Sequence, residues 1–325
     1  MREETGLPRV EAPVPDVLGA GYSAETIHLA DDDEGPVVAT LVKREPAQPT
    51  ERAVLHVHGF ADYFFQTEYA QWWTDRGYTF YALDLRKYGR SIRPHQTPNY
   101  VDDLTAYHAE LDVALDLVTR RDGHSVVVGS AHSTGGLVLP LWNAARGEPL
   151  AAMVLNAPWF DLRGPWLMRS VGTTVIHRVA RQNPRRVIPR SVSGYYARSL
   201  HADHEGEWHF DLDWKPLKSR PVYAGWLSAV REGHRILHRG LGLQRPVLVL
   251  SSDRTSLPVR MDEDVHTTDI VLDVDQIRRW APTVSRHVTT VSVPGARHDV
   301  VLSRPAVRAT VYAELDRWVR TYVEG

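Results

Sequence analysis

Ser133 stands where a β-branched apolar run, Val126-Val127-Val128-Gly129-Ser130-Ala131-His132, breaks and a helical pattern begins at Thr134-Gly135-Gly136-Leu137-Val138. That arrangement reads as a nucleophile elbow, a serine on a sharp strand-to-helix turn whose strained backbone lifts the hydroxyl above a sheet. The turn closes only where the positions two before and two after the serine carry almost no side chain, and these are Ala131 and Gly135. The competing reading is a plain serine N-cap after a buried strand. A hydroxyl is a weak nucleophile at neutral pH, so the chemistry implied is acyl transfer, with a base to take the proton and a third group to orient that base. The Thr134 N–H, next in the chain and at a helix start, would face the charge that develops on an attacked carbonyl; one such donor is worth about 10²–10³-fold in turnover. His298 is a candidate base, because it follows a strand and Pro294-Gly295 in a loop able to turn an imidazole toward the elbow. A loop histidine that merely meets solvent is the alternative there.

Short apolar runs alternate with helical patterns along the chain, as a mostly parallel sheet covered on both faces requires. Strands are predicted over 24–29, 37–43, 53–57, 78–83, 126–132, 153–155, 247–250 and 288–293. Helices are predicted over 67–76, around Leu104, Tyr107, Leu111, Ala114, Leu115 and Val118, over 222–237, and from about Asp273. A final helix should start at Ser303 and Pro305 and bury Val307, Val311, Leu315, Trp318 and Tyr322 on one face. The acidic turn Asp31-Asp32-Asp33-Glu34-Gly35-Pro36 reads as a solvated hairpin rather than a metal site. No internal repeat is present. From Asp161 to Arg220 the pattern degrades into arginines, prolines and scattered aromatics, so one large core, 1–160 with 236–325, is expected to carry an inserted cap over 161–235.

Composition narrows the partners. The 325 residues hold 38 Lys plus Arg against 40 Asp plus Glu, which gives no electrostatic reason to expect nucleic acid or an anionic membrane; a small molecule is the expected partner. There is no cysteine, which excludes disulfides, thiolate metal sites and cysteine nucleophiles together. No run approaches the roughly 20 apolar residues of a membrane span. The acidic start Met1-Arg2-Glu3-Glu4 favours the cytoplasm. His201, His204 and His209 fit no strong ligand spacing, so no metal is expected.

Four motifs in order carry a family resemblance: His58-Gly59-Phe60 after one strand, Asp84-Leu85-Arg86-Lys87-Tyr88-Gly89-Arg90-Ser91 after the next, the elbow Ala131-His132-Ser133-Thr134-Gly135-Gly136, and Gly295-Ala296-Arg297-His298-Asp299 before the last helix. The chain resembles the α/β-hydrolases, in the group of monoacylglycerol lipases, lysophospholipases and serine aminopeptidase-like enzymes. The match covers roughly residues 50–160 and 240–320. Tyr88 replaces the family's histidine and Ala131 its usual glycine. The resemblance implies an α/β fold, no cofactor, and the chain order serine, acid, histidine. It makes His298 the base, Asp269 the acid and Phe60 N–H the second oxyanion donor beside Thr134. Asp253 is the rival acid: it follows its strand almost directly, 45 residues before His298, whereas Asp269 lies 29 before it, leaving room for a helix and a strand. Asp273 reads as a helix cap. His58 should tie its loop by a hydrogen bond, and Asp62 and Tyr63 should hold the same loop.

The expected activity is hydrolysis of carboxylic esters, resembling monoacylglycerols or lysophospholipids, with substrate choice in the cap. Aromatics around Trp159-Phe160, Trp166-Leu167-Met168, Tyr195-Tyr196 and Trp214 to Trp226 are pocket candidates or the cap's own small core. Two alternatives stay open. An amidase or aminopeptidase would use Glu205, Glu207 or Asp211 for the substrate's ammonium, and a non-catalytic binding protein would use the covered pocket alone.

Overall fold

The computed structural model describes residues 8–164 and 166–325, with residues 166–171 described by their backbone only. The acidic start Met1-Arg2-Glu3-Glu4 and the side chains of Trp166-Leu167-Met168 lie outside the described set. Nine strands form one sheet: β1 (Val14–Pro15), β2 (Tyr22–Asp32), β3 (Gly35–Arg44), β4 (Arg52–Val57), β5 (Thr79–Asp84), β6 (Val126–His132), β7 (Ala152–Asn156), β8 (Val247–Ser252) and β9 (Val288–Val293). Their order is β1-β2-β3-β5-β4-β6-β7-β8-β9. The first three pairings are antiparallel and the five from β5 to β9 are parallel. This is the mostly parallel sheet that the resemblance implies.

The central strands read as continuous apolar runs because both faces are covered. Ala53, Leu55, Val57, Val127, Met153, Leu155, Val247 and Val249 point into one core, and Val54, Val128, Val154, Leu248 and Leu250 into the other. Helix α1 (Thr67–Thr74) supplies Trp72 and Trp73 to the second core. Helices α2 (His108–Asp116) and α3 (Gly135–Ala145) close the first, with Leu111, Ala114, Leu137 and Trp142 fully buried.

Among the described residues the sheet takes no strand between Asn156 and Val247. That stretch holds α4 (Trp166–Gln182), α5 (Tyr195–Leu200) and α6 (Ala224–His238); α6 packs against both α3 and α4. Beyond β8 come α7 (Glu263–Thr267), α8 (Val274–Trp280), capped by the Asp273 carboxylate, and α9 (Pro305–Tyr322). In α9 the buried face is Val311, Leu315, Trp318 and Val319, whereas Tyr322 is 48% exposed at the margin of that face, its ring 5.6 Å from Trp318, while Val323 packs on the core in its place. Arg304 rather than Ser303 precedes its first turn, and Ser303 Oγ instead accepts from the Arg297 amide at 3.0 Å.

The acidic β2–β3 turn is a clamp rather than a solvated hairpin. Asp32 and Glu34 both hold the buried Lys87 ammonium at 2.6 Å, and Arg185, just beyond α4, pairs with Asp33 and Glu34. The other basic residues of the 84–91 motif are also sequestered, Arg86 by Glu110 and Arg90 by Asp16 and Asp84. Among the described residues no helix is long and apolar enough to cross a membrane.

Candidate active site

Strand order reverses at β4, whose neighbours are β5 on one side and β6 on the other. A crevice opens outside the carboxyl ends of parallel strands at such a switch point. The ends of β4 and β6 carry His58-Gly59-Phe60 and Ser133, so the elbow and the first motif meet across it.

Ser133 has φ +51°, the left-handed backbone that a sharp elbow demands of a non-glycine residue. Its amide donates to Asn156 O at 3.0 Å, and its carbonyl accepts from Gly136 and Trp159. Gly135 has no room for a side chain, since a Cβ there would lie 2.5 Å from both Val57 O and His58 O. Ala131 is accommodated in the β6 ladder opposite Val57 and Leu155 and is fully buried.

His298 lies 3.0 Å from Ser133 Oγ through Nε2 and 2.9 Å from Asp269 Oδ2 through Nδ1. With Nδ1–H donating to the carboxylate, Nε2 is free to accept from the serine hydroxyl. Asp269 is fully buried, and its other oxygen accepts the Val271 and Leu272 amides at 2.8 and 2.7 Å. A short parallel bridge to Thr255 pins the backbone beside it. Asp253 is elsewhere: its amide donates to Val293 O and its carbonyl accepts from Arg278. The strand holds Asp253 at the sheet edge, and the loop through α7 is what carries an acid back to His298.

Among the described residues neither the Phe60 nor the Thr134 amide has an acceptor. His58 fixes the Phe60 turn, accepting the Leu85 amide at Nε2 (3.0 Å) and donating from Nδ1 to Gly59 O (2.8 Å). Burial holds the His58 imidazole below its usual pKa, consistent with this neutral tautomer. Tyr88 packs its ring 4.8 Å from His58 and takes no part in the contacts of Ser133. Tyr63 holds the loop, its hydroxyl accepting the Asp211 amide.

Several residues at the site carry no motif. Asn156 Nδ2 donates to Asp299 at 2.6 Å and Asn156 Oδ1 accepts the Val300 amide, so one side chain joins the end of β7 to the His298 loop. Gln66 donates to the second Asp299 oxygen. A polar residue at the carboxyl end of a buried strand is the signal that could have singled out Asn156. Asp62 is 2% exposed, accepting from Lys215 Nζ at 2.8 Å and from His132 Nδ1 at 3.2 Å. Burial alone would raise its pKa, but Lys215 and His132 outweigh that and hold the carboxyl well below the usual range.

A cavity of about 700 Å³ opens over Ser133 and His298, bounded by Phe60, Trp159, Tyr196, Lys215 and Trp226 among others. Asp62 is the one acid on its lining among the described residues. Glu205 and Glu207 pair with Arg198 and Arg308, and Asp211 caps the turn at Asp213-Trp214; none reaches the cavity. A second cavity, about 1060 Å³, lies between α3, α4 and α6 and contains none of the candidate residues. His201 bonds Phe210 O, and no group of three or more potential ligands able to hold a metal occurs among the described residues.

Comparison with known proteins bears on this geometry. A monoglyceride lipase from Saccharomyces cerevisiae superposes with a TM-score of 0.66 at 15% identity, covering 92% of this chain and 96% of that one. A carboxyl esterase from Bacillus coagulans gives 0.66 at 14%, covering 92% and 98%, and a monoacylglycerol lipase from Paleococcus ferrophilus 0.62 at 15%, covering 87% and 99%. No protein of curated function matches the sequence. The serine aminopeptidase S33 family model matches residues 48–305, from before β4 to the first turn of α9. With that match and this sheet, the chain has the α/β-hydrolase fold and belongs to the serine aminopeptidase S33 family.

Proposed function

We propose that the protein is a serine hydrolase of carboxylic esters, working through an acyl-enzyme, with residues 161–235 as a cap over the site. One observation carries the reading: a serine hydroxyl at a left-handed elbow, 3.0 Å from an imidazole that a buried carboxylate orients. Ser133 Oγ bonds to the acyl carbon while its proton passes to His298 Nε2. The Phe60 and Thr134 amides take the negative charge on the carbonyl oxygen, and Asp269 stabilises the imidazolium. Collapse breaks the bond to the alcohol oxygen, which leaves with the proton from His298. Water then repeats the sequence, its proton going to His298 and its oxygen to the acyl carbon, and the carboxylic acid departs as Ser133 regains its proton.

Esters are favoured over peptides by the cavity lining. An aminopeptidase needs a free carboxylate for the substrate's ammonium, and Asp62 is already neutralised by Lys215. The names of the fold neighbours, lipases and esterases, support the same choice.

The test is intact mass after exposure to a fluorophosphonate, with Ser133→Ala, Asp269→Asn and Asp253→Asn alongside, followed by turnover of short-chain esters. Wild type should gain one adduct rapidly and Ser133→Ala none. Asp269→Asn should lose about 10³–10⁴-fold in kcat, whereas Asp253→Asn should not. Full activity in Asp269→Asn, or no adduct on folded wild type, would refute the assignment.

A further inference from the structure

Two stretches outside the sheet line the cavity over Ser133 with different chemistry. The acid loop offers Leu257, Pro258, Ile270 and Val271, an apolar lining suited to an acyl chain. The stretch after α4 offers Arg190, Ser191 and Ser193, with Ser219 beside them. Arg190 is held in place there: Nη2 donates to Ser219 Oγ at 3.0 Å and to Arg220 O at 2.7 Å, and the guanidinium lies 5.6 Å from the Phe60 ring centre. Its Nε and Nη1 have no acceptor among the described residues. Arg163, also on the lining, donates among the described residues only to the Ser256 and Ile270 carbonyls.

Two arginines of 161–235 that lie near acids are neutralised, Arg185 by Asp33 and Glu34 and Arg231 by Asp161, whereas Arg178, Arg181, Arg186 and Arg220 lie outside the cavity lining. Arg190 and Arg163 form no ion pair among the described residues; Arg190 stays exposed to solvent at the cavity, and partial desolvation depresses both guanidinium groups. A guanidinium fixed at Nη2 by neutral acceptors, with Nε and Nη1 each left to donate singly, can take an anion through a charge-assisted hydrogen bond.

We propose that the substrate is an amphiphilic ester bearing an anionic group, a carboxylate or a phosphate, which Arg190 binds while the acyl chain lies along the 257–271 loop. This rests on the ester-hydrolase reading. Arg190 is then the specificity-determining residue and Arg163 adds to the positive potential that draws the anion in.

The experiment compares kcat/KM at pH 8 for octanoyl esters sharing one acyl chain: 1-octanoylglycerol, 1-octanoylglycerol 3-phosphate and O-octanoyl-lactate, each below its micelle concentration. A charge-assisted contact predicts that one or both charged esters exceed the neutral one by about 10- to 100-fold. The phosphate and lactate arms show which anion is preferred. In Arg190→Gln that ratio should collapse toward one, mainly through KM, and Arg190→Lys should restore part of it. A neutral ester turned over as well as the charged ones, or a ratio unmoved in Arg190→Gln, overturns the inference while leaving the hydrolase reading intact. Failure to cleave any of the three, with no fluorophosphonate adduct, overturns both.

Discussion

Lys215→Met should destabilise the protein by far more than a lost salt bridge on the surface would. The ammonium and the Asp62 carboxylate are 4% and 2% exposed and 2.8 Å apart, so the variant leaves a carboxylate in the interior with only His132 beside it. Removing one partner of a buried pair costs about 3–5 kcal/mol. With about 2.1 cal/mol/K of unfolding entropy per residue, 325 residues give about 0.7 kcal/mol/K, so Tm should fall by about 4–7 °C. The reverse variant, Asp62→Asn, should cost less. It leaves an ammonium that still faces the Tyr196, Phe65 and Phe210 rings at 5.5, 5.7 and 5.9 Å, and such contacts return about 0.5–2 kcal/mol. The double variant buries no unpaired charge and should be more stable than Lys215→Met alone. Urea unfolding at pH 7.5 of wild type, both singles and the double gives the coupling energy directly. A loss below about 1 kcal/mol in Lys215→Met, or a double variant equal to the sum of the singles, would show that the pair is not the buried clamp described.

Two further perturbations probe the frame. Gly135→Ala would drive a Cβ against the Val57 and His58 carbonyls, so it should cost about 1–3 kcal/mol or more and slow fluorophosphonate labelling by about 10²-fold; Gly172→Ala, in α4 with nothing within 4 Å, should stabilise by about 0.5–1 kcal/mol. Equal effects in the two would refute the packing argument. Burial, aided at His234 by the Arg231 guanidinium, lowers His56 and His234 to about 3, so below the unfolded value near 6.5 the unfolded chain binds protons that the native one does not. Their stabilisation is whole above that value and falls by about 2.7 kcal/mol per pH unit for the two together down to about pH 3. Urea midpoints at pH 7.5, 6 and 5 should show this slope, and His234→Asn should roughly halve it; a stability that does not change between pH 7.5 and 5 would contradict it.

The strands were legible because burial on both faces writes them as unbroken apolar runs, Val126 to Val128 and Val247 to Leu250 above all. The elbow was legible because its steric limits act on Ala131 and Gly135, within two residues of Ser133. Asp269 was readable only through resemblance: its approach to His298 depends on a loop from Arg254 to Thr268 whose bridge to Thr255 has no local signature. Asn156, Lys215 and the Lys87 clamp were not legible. Each joins segments 53 or more residues apart, with separations of 143, 153 and 53, so nothing in a local window marks the partner. The misreading of Tyr322 has a simpler cause, since at the end of α9 the buried stripe passes to Val319 and Val323 and leaves Tyr322 at its margin.

The donors proposed for the oxyanion are main-chain groups at the ends of β4 and β6, while the cavity walls around them come mostly from stretches between the strands. Chemistry and taste are therefore written in separate parts of the chain. A substitution at Arg190, Leu257 or Val271 leaves every ladder hydrogen bond and every core contact of the frame in place. Descendants of this sequence can thus change diet without relearning how to cut, which makes the scaffold a practical starting point for selecting new specificities by randomising 190–193, 257–258 and 270–271 while Asp269 is kept.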